Sequence, residues 1–292
     1  MLGSVTTEEA RAEEKAMGKS IVAITRGTEA EAVRKALELI GGLREIIREE
    51  DRVLVKPNFC GAEPQGTGVT TNVKVVEAVA KEVQAVGGIP IVGESCIGST
   101  PESTERALKA SGVKEVAQRL GIEVVNFDSD NTVNIPLPGG KVLDGLPLPR
   151  TVLDCGVRVS VPVLKFHGEA TVTLGLKNMK GCLPGRTKSK CHHVGLDQSI
   201  VDYNTVLKPH LTVIDGTVAG AWKAGQKTVR LDVIIAGFDP VATDSVGALA
   251  LGVKPEDVRH LVLASEAGLG TNDTRRIEIR GIPVEEIALN PS

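Results

Sequence analysis

Two hydrophobic periods alternate along most of the chain. Short runs rich in Val and Ile are typical of buried strands, and they recur between longer stretches whose apolar residues return every three or four positions. Repeated alternation of this kind predicts an α/β fold with a mostly parallel sheet and helices on both faces. The short runs predict strands at residues 52–56, 89–92, 123–126, 157–161, 211–214 and 233–236.

The stretches of helical period carry start and stop signals. Thr100 and Pro101 form an N-cap followed by a first-turn proline, and Asp239 and Pro240 repeat that arrangement. A stretch rich in Pro and Gly at 135–150 is typical of a hairpin or of a connection between two lobes. The predicted helices cover residues 73–86, 101–110, 114–120, 240–251 and 255–268.

The N-terminal residues 1–18 differ from the rest because they are acidic, and they predict a tail or a frayed helix. Residues 19–292 are predicted to form a single domain, with two α/β lobes as an alternative. No apolar run approaches the roughly 20 residues that span a bilayer, so no membrane contact is expected. Five cysteines without a CxxC pair favour a reducing compartment, and the predicted location is the cytoplasm.

Composition and charge narrow the classes of ligand. Aromatic residues make up only 2% of the chain, which argues against stacking platforms for nucleic-acid bases. A net charge of -3 provides no global attraction for polyanions, so no nucleic-acid partner is expected and any anion site must be local. The segment from Lys165 to His193 is such a place, since it is rich in Lys, His and Gly.

Parallel sheets bind ligands just beyond the carboxyl ends of their strands, so the residues that follow each predicted strand are site candidates. Clustered lysines stabilise carboxylate or phosphate, and glycines allow the backbone to approach a ligand closely. The alternative is a solvated basic loop. The predicted substrate-binding residues, for a small anionic substrate, are Lys56, Asn58, Ser95, Lys165, Lys177 and Asn178.

Four further residues are candidates for acid–base chemistry. Imidazole titrates near neutrality, which favours His167 or His192 as the group that moves a proton. Glu94 stands at a strand end and could act as a base or a ligand, and Lys180 belongs to the same basic segment. The alternative for each histidine is a structural role.

Cys60, Cys96, Cys182 and Cys191 each lie beside one of these motifs, in separate polar segments. If the segments converge, four thiolates would suit a [4Fe–4S] cluster or another transition metal such as zinc. Their spacing matches no known cluster motif. The alternative is that cysteine, a small and easily buried residue, fills the base of each loop.

The motifs in order resemble the domain of unknown function 362 family, over roughly Lys19 to Gly270. The resemblance implies an iron–sulfur protein, with a ferredoxin-like electron donor as a partner, and a homodimer is left open as the assembly. It rests on Lys56-Pro57-Asn58, Thr70-Thr71, Gly93-Glu94-Ser95, Leu164-Lys165-Phe166-His167, Leu176 to Gly181, Asp215-Gly216 and Ala236 to Pro240.

A weaker resemblance links the stretch from Gly175 to Gly185 to the Gly-rich loop of the nickel-pincer lactate racemase family. There it implies that Lys180 anchors the pincer cofactor, that His192 binds nickel and that His167 is an acid–base residue. Asn178 and Met179 stand where that family has paired glycines.

Three functions follow as hypotheses. The leading one is a cytoplasmic iron–sulfur protein, a redox or metal-dependent enzyme acting on a small anionic substrate. The second is a racemase-like enzyme acting on a hydroxy acid or a phosphorylated metabolite. The third is a non-catalytic module that binds an anion.

Overall fold

The strands of this protein form one large sheet and one small one. The computed structural model describes residues 18–220, 225 and 227–289. The strands within them are β1 Ser20–Arg26, β2 Arg52–Pro57, β3 Ile89–Glu94, β4 Glu123–Asn126, β5 Thr132–Pro136, β6 Gly145–Pro149, β7 Val157–Val161, β8 Val163–His167, β9 Thr171–Thr173, β10 Leu211–Gly220, β11 Val229–Gly237 and β12 Ile277–Gly281.

Ten of these strands share the large sheet, in the order β12-β1-β11-β10-β7-β2-β3-β4, with β8 paired to β10 and β9 paired to β8. The neighbours from β10 through β7, β2 and β3 to β4 are parallel, whereas β1, β11 and β10 are antiparallel neighbours. The sheet is therefore mostly parallel, as the sequence pattern predicts.

The helices cover both faces of that sheet. Their bounds in the described residues are α1 Glu29–Leu39, α2 Val73–Ala85, α3 Pro101–Ala110, α4 Val113–Leu120, α5 Arg150–Asp154, α6 Gly175–Asn178, α7 Thr187–Val194, α8 Leu196–Leu207, α9 Pro240–Ala250 and α10 Arg259–Glu266. Successive strand residues point to opposite faces. Val53 and Val55 accordingly pack with α1 and α2, while Leu54 joins the core that contains α8, α9 and α10.

Three further predictions concern the 135–150 stretch, the last helix and the N-terminal tail. The stretch at 135–150 contributes to an antiparallel hairpin in which Thr132 pairs with Pro149, so the hairpin alternative is the one observed. The last predicted helix begins at Arg259 rather than Pro255, because residues 255–257 form a separate 3₁₀ turn. The acidic tail predicted at residues 1–18 lies almost entirely outside the described residues.

The parallel strands β2, β3 and β8 end at the same edge of the sheet, and hydrogen bonds tie together the segments that follow them. The amide of Ser95 donates to the carbonyl of Gly181 at 2.9 Å, and the amide of Ile97 donates to the carbonyl of Cys60 at 2.9 Å. The side chain of Asn178 donates to the carbonyl of Lys56 at 2.8 Å. The predicted convergence of the strand-end segments is therefore present.

Candidate functional site

A cleft of ≈ 730 Å³ opens at this edge of the sheet. Most of the predicted site residues line it, although they come from five separate parts of the chain. These are Asn58, Cys60, Glu94, Ser95, Cys96, Lys165, His167, Lys177, Asn178, Lys180 and His192. Lys56, Cys182 and Cys191 are the predicted residues that do not line it.

Behind the cleft, Lys56 forms a buried ion pair with Glu94, its Nζ lying 2.7 Å from Oε2. Glu94 also accepts hydrogen bonds from the amides of Phe59 and Ser95, both at 2.9 Å. Burial raises the pKa of the Glu94 carboxyl, against the opposing charge of Lys56. Lys56 is fully buried and its ammonium is already paired, so the expectation that it contacts a substrate is corrected: it joins strand ends instead.

Lys188, which the sequence showed only as one member of the basic run, completes this paired region. Its Nζ donates to the hydroxyl of Ser95 at 2.6 Å, to the carbonyl of Cys96 at 2.7 Å and to the carbonyl of Ser95. The Ser95 hydroxyl in turn donates to Asp128 Oδ2 at 2.7 Å. We name Lys56, Glu94, Ser95 and Lys188 the strand-end cluster, in which each charged group has partners.

Five basic residues also line the cleft, and we name them the basic wall: Lys165, His167, Lys177, Lys180 and His192. Lys165, from β8, donates to the carbonyl of Val69 at 2.5 Å and contacts the sulfur of Cys60 at 3.3 Å. Its ammonium is therefore satisfied within the protein.

Lys177 is the exception on the basic wall. Its side chain is 8% exposed and lines the cleft, yet within the described part of the chain no hydrogen bond or ion pair reaches its ammonium. Burial, and then the charges of Lys180 and Lys165, lower the pKa of Lys177 to about 7, with Cys60 and Glu169 opposing. A buried cation without a partner is costly, so this position favours a bound anion.

Lys180, His192 and Glu169 form a hydrogen-bonded chain at the mouth of the cleft. Lys180 Nζ lies 2.5 Å from His192 Nε2, and His192 Nδ1 lies 2.6 Å from Glu169 Oε2. The carboxylate fixes the tautomer in which Nδ1 carries the proton and Nε2 accepts from the amine. Burial lowers the pKa of Lys180, which favours the neutral amine that a general base requires.

His167 stacks beside His192, with ring centroids 6.4 Å apart. Burial, and then the charges of Lys177 and Lys180, lower the pKa of His167 to about 3, so the ring is neutral. Its Nδ1 accepts from the amides of Glu169 and Ala170 at 3.1 and 3.0 Å, which leaves the proton on Nε2. His167 can therefore donate a hydrogen bond, but its Nδ1 is not a base.

The position of Lys177 depends on residues that the sequence did not single out. Asp244, on α9, accepts hydrogen bonds from the amides of Gly175 and Leu176 at 2.7 and 2.8 Å. A Cβ added at Gly175 would lie 2.6 Å from Thr212, so glycine is needed for this close approach. Asn204 donates to the carbonyl of Leu176 at 3.0 Å. These contacts join residues up to 69 positions apart and leave no local motif.

The four predicted cysteine ligands do not form a metal site. No group of three or more His, Cys, Asp and Glu residues in the described ranges could hold a metal ion. Cys182 and Cys191 are buried in the core, and burial raises the pKa of the Cys182 thiol to about 12, although metals bind the thiolate. Cys191 lies within α7 rather than in a loop. The residues present therefore do not fit a [4Fe–4S] cluster.

The same holds for the metal that the racemase resemblance implies. Lys180 and His192, which would anchor the cofactor and bind the metal, are hydrogen-bonded to each other instead.

Among the described helices, none is both long enough and apolar enough to cross a membrane.

This chain is similar in sequence to one known protein and similar in fold to another. A thylakoid-associated protein of Synechocystis sp., sll1697, is 31% identical over 261 residues, which cover 83% of this chain and 75% of that protein. The apoprotein of lactate racemase from Thermoanaerobacterium thermosaccharolyticum has a TM-score of 0.45 and 15% identity, and the match covers 76% of this chain. It spans about half, 54%, of the racemase chain.

The sequence profile of one family, described as domain of unknown function (DUF362), matches residues 53–249. The match includes every residue of the strand-end cluster and of the basic wall. This chain is therefore a member of the DUF362 family.

Proposed function

We propose that this protein is an enzyme that binds a small carboxylate or phosphate in the cleft and transfers a proton at a carbon atom of that substrate. The observation that carries the proposal is the unpaired ammonium of Lys177, buried beside the hydrogen-bonded chain of Lys180, His192 and Glu169. One group can hold the anion and the others can move the proton.

The binding step follows from the charge of the basic wall. Lys177 lacks a partner among the described residues, so an anion would supply the missing counter-charge. A bound carboxylate or phosphate would also raise the pKa of Lys177, because an opposite charge nearby favours the ammonium form.

The proton step follows from the arrangement around Lys180. In its deprotonated form, which the lowered pKa favours, Lys180 can donate a hydrogen bond to His192 Nε2 and keep its lone pair free for a proton from the substrate. When the substrate C–H bond breaks, its electron pair stays on the substrate and the proton goes to Lys180 Nζ. Glu169 then stabilises the positive charge that Lys180 and His192 share.

The cleft volume agrees with a small metabolite. At ≈ 730 Å³ it lies within the range of about 300–1,000 Å³ that is usual for small-molecule sites. A hydroxy acid or a phosphorylated metabolite therefore remains the proposed substrate class. The cytoplasmic location stays a prediction.

The experiment has two parts. A thermal-shift screen with lactate, pyruvate, malate, 2-phosphoglycerate and inorganic phosphate identifies ligands that stabilise the protein. Proton NMR in D₂O then measures loss of the substrate C–H signal for each hit that carries a C–H bond. We expect exchange that depends on Lys180, with Lys180→Met reducing its rate about 100-fold or more.

The matched control is Lys190→Met, since Lys190 is half exposed and pairs with Asp144 outside the cleft. This variant should exchange at the wild-type rate. If the protein binds carbon-containing anions saturably but none of them exchanges a C–H proton, the enzymatic part is contradicted and a non-catalytic anion-binding module is left. Absence of any stabilising anion would contradict the whole proposal.

A further inference from the structure

A second cavity of ≈ 430 Å³ adjoins the cleft on the side of the α3 helix. It lies between the segment that follows β2 and the segment that follows β3, and we name it the annex. Four residues line both the cleft and the annex, so the two spaces are adjacent. They are Cys60, Cys96, Ile97 and Gly98.

The annex differs from the cleft in its chemistry. Apart from Ser103, Glu63 and Arg106, its lining consists of Val69, Ala62, Ile97, glycines and the two cysteines. None of the lysines or histidines of the basic wall reaches it. A polar or charged group placed here would find few partners, whereas an aliphatic group would lose contact with water.

Ile97 is the most informative of these residues, because 76% of its surface is exposed. The next most exposed large apolar side chain in the described residues, Ile89, reaches 46%. The backbone of Ile97 is held in place, because its amide donates to the carbonyl of Cys60 at 2.9 Å and thereby ties the two strand-end segments together. At the junction of two cavities, its exposed side chain offers apolar surface that an aliphatic group would bury.

We propose that the annex holds an aliphatic chain of the substrate whose anionic group lies on the basic wall. The substrate class would then be carboxylates with a hydrocarbon tail rather than compact acids. This inference rests on the proposed function, since Lys177 must hold the head group for the tail to enter the annex.

The test is a homologous series of straight-chain carboxylates, from acetate to octanoate, with dissociation constants measured by calorimetry at pH 6.5. Full burial of a methylene corresponds to about a fourfold gain in affinity, and partial burial to less. We expect a gain of about two- to fourfold for each methylene over at least four consecutive members of the series.

Two variants locate the tail. Ile97→Asn replaces the exposed apolar side chain at the junction of the two cavities, and Ala62→Trp narrows the annex. Both residues are exposed, so neither change should disturb the core. Each should flatten the dependence on chain length and leave acetate affinity within about twofold of the wild type. Ile89→Asn, a matched change of an exposed isoleucine outside both cavities, should keep the wild-type dependence.

The outcomes separate the two proposals. Binding of acetate with an affinity that does not change along the series overturns the annex and leaves the proposed function standing. A dependence on chain length that survives in both annex variants, or that persists unchanged in Lys177→Met, also overturns it. If wild-type protein binds no member of the series, the anion-binding step fails and the annex fails with it.

Discussion

Two buried lysines in this protein show how the same side chain can serve stability or binding. Lys56, in the strand-end cluster, is fully buried and pairs with Glu94 at 2.7 Å. Lys177, on the basic wall, is nearly as buried but has no partner among the described residues. A cation that is buried without a counter-charge destabilises the free protein, so its retention points to a ligand.

The pairing of neighbouring groups follows the same division. In the strand-end cluster, Glu94 accepts three hydrogen bonds and Lys188 donates to three oxygens. On the side of the basic wall, Thr173 lines the cleft, and its buried hydroxyl has no partner within the described ranges. The strand-end cluster therefore holds the strand ends together, whereas the polar groups without partners, which could bind a ligand, lie beside or on the basic wall.

The largest effect is expected from breaking the paired side. Lys56→Met leaves the Glu94 carboxyl buried without its counter-charge, and the loss of one partner of a buried pair costs about 3–5 kcal/mol. Urea unfolding at pH 7 measures this loss. Lys56→Met combined with Glu94→Gln should recover part of it. A loss below about 1 kcal/mol in the single variant would show that the pair is not important for stability.

The next effect concerns turnover. His192→Gln breaks the chain between Lys180 and Glu169, and we expect the proton-exchange rate to fall by about 10²- to 10⁴-fold. Ligand affinity should stay within about threefold, because His192 is not the anion anchor. His193→Gln is the control, since His193 contacts only the carbonyl of Ser189 in its own helix, among the described residues. Equal losses in both variants would argue for damage to α7 instead.

Removal of the unpaired charge should have opposite effects on binding and stability. Lys177→Met is expected to weaken phosphate binding at pH 6.5 by about tenfold or more. It should also stabilise the free protein below pH 7 by a few kcal/mol, as an order of magnitude, because the buried ammonium is gone. Calorimetry and urea unfolding check the two parts, and Lys190→Met should change neither. If Lys177→Met is less stable than the wild type below pH 7, the buried ammonium does not destabilise the free protein, and this prediction is contradicted.

The pH dependence has a definite sign. The pKa of Lys177 is about 7 in the folded protein, whereas an unperturbed lysine has a pKa of 10.5, so between these values the unfolded chain binds more protons. The contribution of Lys177 to stability therefore rises with pH from about 7 to 10.5. In Lys177→Arg, which stays charged, this rise should disappear. A rise of the same size in that variant would assign it to other groups.

The smallest effect concerns the orphaned hydroxyl. Thr173→Val replaces a buried group that has no partner among the described residues with an apolar group of the same shape, and such changes are neutral or stabilising. We expect a change between zero and about +1 kcal/mol in the free energy of unfolding. Thr104→Val is the contrast, because the Thr104 hydroxyl donates to Asp128 at 2.7 Å. If Thr173→Val lowers the free energy of unfolding more than Thr104→Val does, the contrast between the unpartnered hydroxyl and the hydrogen-bonded one is contradicted.

Much of the fold was predictable because strand and helix periods are local. The carboxyl ends of parallel strands meet at one edge, and this rule alone predicts that Asn58, Ser95, Lys165 and Lys177 share one cleft. The same rule could not distinguish Lys56 from Lys177. Side-chain direction and pairing depend on contacts between distant segments, such as the bond from Asn178 to the carbonyl of Lys56.

The four cysteines form no metal-holding group in the described residues, although the loops that the prediction relied on do meet. Cys60 and Cys96 line the cleft, as convergence of the strand ends requires. Cys182 and Cys191 follow the same motifs, but a 3₁₀ turn and a helix direct them into the core. Asp128 was not identified from the sequence, because its contact with the site is a hydrogen bond that it accepts from Ser95, 33 positions away.

The decisive measurement is the pKa of the Lys177 amine. NMR of protein labelled with ¹³C at the lysine ε carbons, assigned with Lys177→Arg, gives the pKa of this amine with and without inorganic phosphate. We expect a pKa of about 7 in the free protein and a clear increase when phosphate binds. A pKa near that of an exposed lysine, unchanged by phosphate, would contradict the unpaired cation on which the proposed function depends.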